Sequence, residues 1–148
     1  MKQNITKYPL PEDEPDPHEN SVLKSPEAPF LINRVREGLP MPEFHSAREM
    51  LGLSEERLAA LLGMSRATLH RRKKTGHLDR MESDRLVRYA RLFYRANAVF
   101  SSPEIARSWL TAPAIAFNSE LPLDFADTEM GAREVEALLG RIEHGVFS

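Results

Sequence analysis

Apolar residues recur through the second half of the chain at steps of three and four, the spacing that gives a helix one dry face and one wet face. Leu86, Tyr89, Phe93, Ala96 and Phe100 form one such stripe, and Asp84, Arg88, Arg91 and Arg95 repeat on the opposite side. Asp79 followed by Glu82 offers a capping-box start, so a long helix is predicted from there to about Phe100. The arginine series reads as a solvated face in preference to a second DNA site. Near the other end, Val135, Leu138, Leu139 and Ile142 give the apolar side of a last helix that starts near Thr128 and stops at Gly145.

Shorter helices precede the long one. Residues 43–51 predict a helix closed by Gly52, and Ser54 caps the next, with Glu55 and Glu56 well placed against its N-terminal dipole. A third runs from about Ser65 to Thr75 and ends at Gly76. Ser102 and Pro103 form a cap and an N1 proline for a short helix carrying Trp109 and Leu110, which with Ile105 are expected in a core. Residues 111–127 are broken by Pro113 and Pro122, with Leu121, Leu123 and Phe125 read as core. Residues 30–41 are the first worth burying, as a strand or a helical turn that Gly38 and Pro40 terminate. No segment sustains the two-residue alternation of a sheet, so the fold is predicted to be mainly α. Residues 1–29, rich in proline and acid and poor in apolar side chains, read as a flexible or partner-ordered arm.

The run EERLAALLGMSRATLHRRK at residues 55–73 carries the clearest chemistry. Ala59 lets two helices approach, Gly63 takes the positive φ at a tight corner, and Leu69 plugs the small core made by Leu58, Leu62 and Met64. Any two-helix corner has that spacing. The serine start and the basic run on the second helix tilt the reading toward a DNA-reading helix-turn-helix, because cationic side chains then sit where phosphates would lie. Ser65, Arg66 and Thr68 fall in the first turn of the recognition helix, with His70 and Arg71 one turn later. Arg66 or Arg71 can grip guanine O6 and N7, an interaction that contributes about 1–3 kcal/mol of base discrimination. Arg72, Lys73 and Lys74 are expected on phosphates. Such modules usually act as symmetric pairs on half-sites, so a homodimer is expected, joined through the long helix or the C-terminal bundle.

Composition changes this picture in two places. The net charge of −2 hides a division: residues 43–80 carry eight lysines and arginines against five acids, whereas residues 111–148 carry two against seven. Two surfaces with different partners are implied. The absence of cysteine excludes disulfides, thiolate metal sites and cysteine nucleophiles. No metal-ligand cluster, phosphate-cradling glycine loop or nucleophile motif is evident, so neither an enzyme nor a cofactor is expected. With no apolar run near the ~20 residues that span a bilayer, and no signal-peptide core, the protein is expected in the cytoplasm.

Several specific pieces carry a family resemblance: Arg71 to Lys73 followed by ESDRL at 82–86, Trp109-Leu110, Pro122-Leu123, and GRIEHGVFS at 140–148. On these, residues 30–80 resemble the helix-turn-helix part of Xre-type antitoxins. Residues 101–148, reached through a connecting helix at 81–100, resemble the toxin-binding domain of the MbcA/ParS/Xre group. The resemblance implies a bacterial type II antitoxin whose partner is a RES-domain, NAD-depleting toxin of the same operon, and which represses that operon by binding operator DNA. One departure stands out. The family often has asparagine after the first proline and glycine before the second; here Ala114 follows Pro113 and Ser119-Glu120 occupies the glycine region, so a different local turn is expected.

Within this reading, Glu143, His144, Gly145, Val146, Phe147 and Ser148 are the expected toxin contacts. A Schellman-type ending accounts for Val146 but leaves Phe147 as a terminal aromatic suited to a pocket. Glu134, Glu136 and Glu143, with a free carboxylate, would face the cationic groups meant for NAD phosphates. Two alternatives stay open: a free-standing transcription regulator, and a toxin inhibitor whose helix-turn-helix does not bind DNA.

Overall fold

A computed structural model describes residues 21–24 and 29–145. Eight α-helices follow one another among these residues: α1 (Leu31–Glu37), α2 (Met41–Leu51), α3 (Glu55–Leu61), α4 (Arg66–Thr75), α5 (Arg80–Phe100), α6 (Pro103–Leu110), α7 (Pro122–Phe125) and α8 (Glu129–Glu143). No strand occurs among the described residues. One isolated antiparallel bridge ties Pro40 to His77, where Met41 donates to Gly76 and Leu78 donates to Leu39, both at 2.8 Å.

α5 organises the molecule. Its 21 residues make it the longest helix, about 32 Å at 1.5 Å per residue. α1 and α2 pack against it from the N-terminal side of the sequence, and α6 and α8 from the C-terminal side. It starts as the sequence indicates: Asp79 accepts from the Glu82 backbone N–H at 2.7 Å, and Glu82 accepts from the Asp79 N–H at 2.9 Å. The buried stripe is wider than the sequence reading, because Ala90 and Leu92 are buried beside Leu86, Tyr89, Phe93 and Ala96, while Phe100 is only half-buried. A helix with neighbours on several sides needs more than one dry face. The resulting core is continuous from Leu23 to Leu139.

Two expectations need correcting, and one left open between strand and helical turn resolves as helix. Residues 30–41 supply α1 and part of α2, so the segment is helical, and Gly38 separates the two helices. Ser21 to Lys24 do not behave as part of a loose arm: they form a 3-10 turn that puts Leu23, at 0% exposure, into the core, and Ser21 Oγ donates to Glu43 at 2.6 Å. The remainder of the expected arm, residues 1–20 and 25–28, lies outside the described residues. Ile105 is exposed and not core; on a helix whose buried residues are Ala106 and Leu110, it points the other way. Trp109 is half-buried against Phe100, with ring centroids 5.9 Å apart. Finally, the turn before Pro122 keeps a backbone that glycine would favour. Asn118 and Ser119 stand there at φ 53° and 67°, left-handed positions without glycine.

Candidate functional site

The α3–α4 corner is built as its residues require. Ser54 and Ser65 cap the two helices, accepting from Arg57 and Thr68 N–H groups at 3.1 Å each. Leu58, Ala59, Leu62, Met64 and Leu69 are all buried. Gly63 takes φ +80° between the helices, and Arg85 from α5 closes the corner by donating to the Leu62 carbonyl at 2.9 Å. The second helix is thus fixed to α3 through side-chain packing and to α5 through polar contacts.

The exposed side of α4 divides into free and engaged cations. Arg66, His70, Arg71 and Lys74 are exposed, and none of the four makes an ion pair with another described residue. Ser65 is occupied as the cap and donates its hydroxyl to Thr68 Oγ1 at 3.0 Å, which leaves Thr68 half-buried. Arg72, expected on phosphate, is folded against the start of α5. Its Nε donates to Glu82 Oε1 at 2.8 Å, and its Nη2 reaches Glu82 Oε2 at 3.3 Å and Asp79 Oδ2 at 3.2 Å. The bond to Glu82 raises the guanidinium pKa above its ordinary value, so it stays charged. Lys73 lies 2.5 Å from Glu55 of α3, and that hydrogen bond holds the Glu55 carboxyl below the usual carboxylate range. The sequence could not separate these roles, because position on a helix says nothing about which acid a neighbouring element presents.

The C-terminal domain meets α5 through a ladder of ion pairs. Arg88 and Arg91 both reach Glu129, at 3.3 and 2.9 Å; Arg91 also reaches Glu136 at 2.6 Å, and Arg95 reaches Glu143 at 2.7 Å. The arginine series is therefore neither a solvated face nor a second DNA surface. Burial works against the Arg91 charge, but the hydrogen bonds and charges of Glu136 and Glu129 outweigh it and raise its pKa. The ladder climbs in the same chain direction on α5 and α8. A signal was present in the sequence: Glu129, Glu136 and Glu143 repeat every seven residues, as do Arg88 and Arg95. Arg57 of α3 also pairs with Asp124 of α7, a second link between the two halves.

These pairings change the expected toxin surface. Glu136 and Glu143 are already matched by arginines, whereas Glu134 is exposed with no ion pair among the described residues. His144 caps the end of α8, and Gly145 follows at φ +66°; both are exposed. Val146, Phe147 and Ser148 lie outside the described residues.

A helix-turn-helix with a cationic second helix, continued through one long helix into a small helical domain, sets the class: a helix-turn-helix module joined to a separate helical domain. Residues 30–91 match the antitoxin Xre-like helix-turn-helix domain, and residues 95–145 match the antitoxin Xre/MbcA/ParS C-terminal toxin-binding domain. The chain belongs to the Xre antitoxin family. It is 29% identical over 120 residues to an antitoxin Xre of Yersinia enterocolitica, covering 80% of this chain and 81% of that one. It is likewise 29% identical over 126 residues to an antitoxin Xre of Photorhabdus laumondii, covering 84% and 85%. An antitoxin Xre of Pseudomonas putida is 38% identical over 64 residues, covering 43% and 40%. No helix among the described residues is long and apolar enough to cross a membrane.

Proposed function

We propose that this chain is the antitoxin of a type II pair, whose C-terminal domain binds and neutralises a RES-domain, NAD-degrading toxin and whose α4 binds operator DNA to repress the shared operon. The observation that carries the DNA half is the set of free cations on α4. Arg66 and Arg71 are offered to base edges and Lys74 to phosphate, with Ser65, Thr68, His70 and Lys73 beside them. Arg72 positions the helix and takes no phosphate. A homodimer presents two copies of α4 to half-sites about one helical turn apart. The toxin half rests on the toxin-binding domain match over residues 95–145. Glu143, His144 and Gly145 lead into Val146, Phe147 and Ser148, which are assigned to the toxin's nucleotide pocket.

Two measurements test this reading. Gel shifts on the operon's promoter should show a complex that Arg71→Ala weakens roughly 10- to 100-fold, as loss of one bidentate base contact requires; unchanged affinity rejects α4 as the reading helix. Co-expression with the neighbouring toxin should preserve cellular NAD, and a chain lacking residues 146–148 should fail to do so. Full neutralisation by the shortened chain rejects the tail assignment.

A further inference from the structure

Between Arg107 and Glu120 lie twelve residues without a charge, the longest such run in a chain of which 28% is charged. Uncharged runs normally fill a core. Here only Leu110 and Phe117 are buried, while Thr111, Ala112, Pro113, Ile115, Ala116, Asn118 and Ser119 are exposed. Ile115 is 95% exposed, more than any other large apolar side chain described.

The backbone around Ile115 is held tightly. Ala114 N–H donates to Glu120 and Ser119 N–H returns to Ala114, both at 3.0 Å, closing the loop at its neck. Phe117 N–H bonds to Ala114 and Glu120 N–H to Phe117, also at 3.0 Å. Phe117 anchors the loop from below, stacked on Phe125 with centroids 4.4 Å apart. Asn118 and Ser119 accept left-handed conformations to complete it. A loop with internal bonds, a buried aromatic foot and one disfavoured residue, Ser119, would gain stability by burying Ile115 too, yet it lifts that side chain into water. Strain of this kind collects where a site needs it. A β-branched residue on a fixed backbone also loses little freedom when it docks, so its contact area converts well into affinity.

We propose that Ile115 is the apolar anchor of the toxin interface, seated in an apolar pocket of the toxin, with Thr111, Ala112, Pro113, Ala116 and Ser119 as the uncharged surface around it. This rests on the toxin-binding reading of the domain, since the loop lies within the matched residues 95–145. Depletion of charge around an aliphatic or aromatic anchor is the composition of an interface centre. DNA is the wrong occupant, because a run without cations lacks the charge that dominates affinity for phosphates.

The test uses the full chain and the RES-domain protein encoded beside it, with binding measured by calorimetry on Ile115→Asp, Ile115→Ala and, as a control on α1, Ile32→Asp. Ile115→Ala should weaken binding on the order of 30-fold and Ile115→Asp should abolish it, as for a central anchor. Ile32→Asp should bind as the parent does, and all three should melt with it. Parent and Ile115→Asp binding within about threefold of each other overturns the anchor and leaves the antitoxin reading standing; equal losses in both Asp variants overturn it as well. A parent chain that does not bind the toxin overturns both readings. If Ile115→Asp instead lowers the molar mass of the free chain, the loop joins copies of this chain and the toxin assignment falls.

Discussion

Arg72 and Lys74 sit two residues apart in one basic run, and the structure sets them in opposite surroundings. Arg72 lies against Glu82, which is 6% exposed and has one other donor, the Asp79 N–H. Removing the guanidinium leaves a buried carboxylate with that single bond. Hydrogen bonds to charged groups contribute about 1.5–3 kcal/mol each, and the edge of the site admits some water after truncation. A loss of about 2 kcal/mol is expected for Arg72→Ala. For a domain of this size that corresponds to a drop in Tm of roughly 4–8 °C. Lys74 is exposed and unpaired among the described residues, so Lys74→Ala should leave the melting curve in place.

Operator binding should reverse the order. Each phosphate contact contributes about 0.9 to the slope of log affinity against log salt. Lys74→Ala should therefore flatten that slope by about one per bound protomer. Arg72→Ala, measured well below its own Tm, should keep the parental slope. Thermal melts and fluorescence anisotropy over a salt series distinguish the two cases. An Arg72→Ala protein that melts like the parent and loses one unit of slope would refute the reasoning, because Arg72 would then be spending its charge on DNA.

Three further outcomes follow from local geometry. A Cβ on Gly131 would meet the Phe125 carbonyl oxygen at 1.9 Å, so Gly131→Ala should cost about 3 kcal/mol in urea unfolding through displacement of α8 from α7. Ser119→Gly should stabilise by about 0.5–1 kcal/mol, because a left-handed L-residue costs more than the added freedom of glycine in the unfolded chain. Glu55 has a depressed pKa caused first by Lys73, so the stability it contributes is present above the unfolded carboxylate pKa and is lost as pH falls through the folded one. In an NMR titration, Lys73→Ala should move the Glu55 midpoint up toward the ordinary carboxylate value.

Features set by neighbouring residues were legible in the sequence. The caps at Ser54, Ser65, Asp79 and Ser102 all form, since a cap needs only a hydroxyl or carboxylate and a backbone N–H a few residues on, and the last helix starts near Thr128 as expected. The Ala59–Gly63–Leu69 corner was legible for the same reason. What a helix face meets was harder to read. Arg88, Arg91 and Arg95 look like a wet stripe until α8 is brought against them from about forty residues away in sequence. Leu23 gave no periodic signal, because one apolar residue beside prolines and acids acquires meaning only when α2 and α5 provide its socket. Ile115 carried no signal, because nothing in a short proline-bounded segment tells an exposed aliphatic residue from a buried one, and its 95% exposure is visible only in three dimensions.

The same pairings explain how a chain of net charge −2 can present a cationic face on α4. Counting charge by segment makes the basic middle look like one large DNA surface opposite an acidic rear. Three-dimensional pairing redistributes it: Glu129, Glu136 and Glu143 pair with Arg88, Arg91 and Arg95 of α5, Asp124 takes Arg57, and Glu82 takes Arg72. On α4 this leaves Arg66, Arg71 and Lys74 without ion pairs among the described residues. Within a Debye length of about 8–10 Å, those side chains govern the field near the helix, and the molecular total does not. Glu129, Glu136 and Glu143 of α8 are engaged in holding the two halves together, so on the proposed toxin-binding reading the rear domain needs groups other than these acids to recognise its partner. An uncharged loop that lifts one isoleucine clear of the surface meets that need without competing for the arginines of α5.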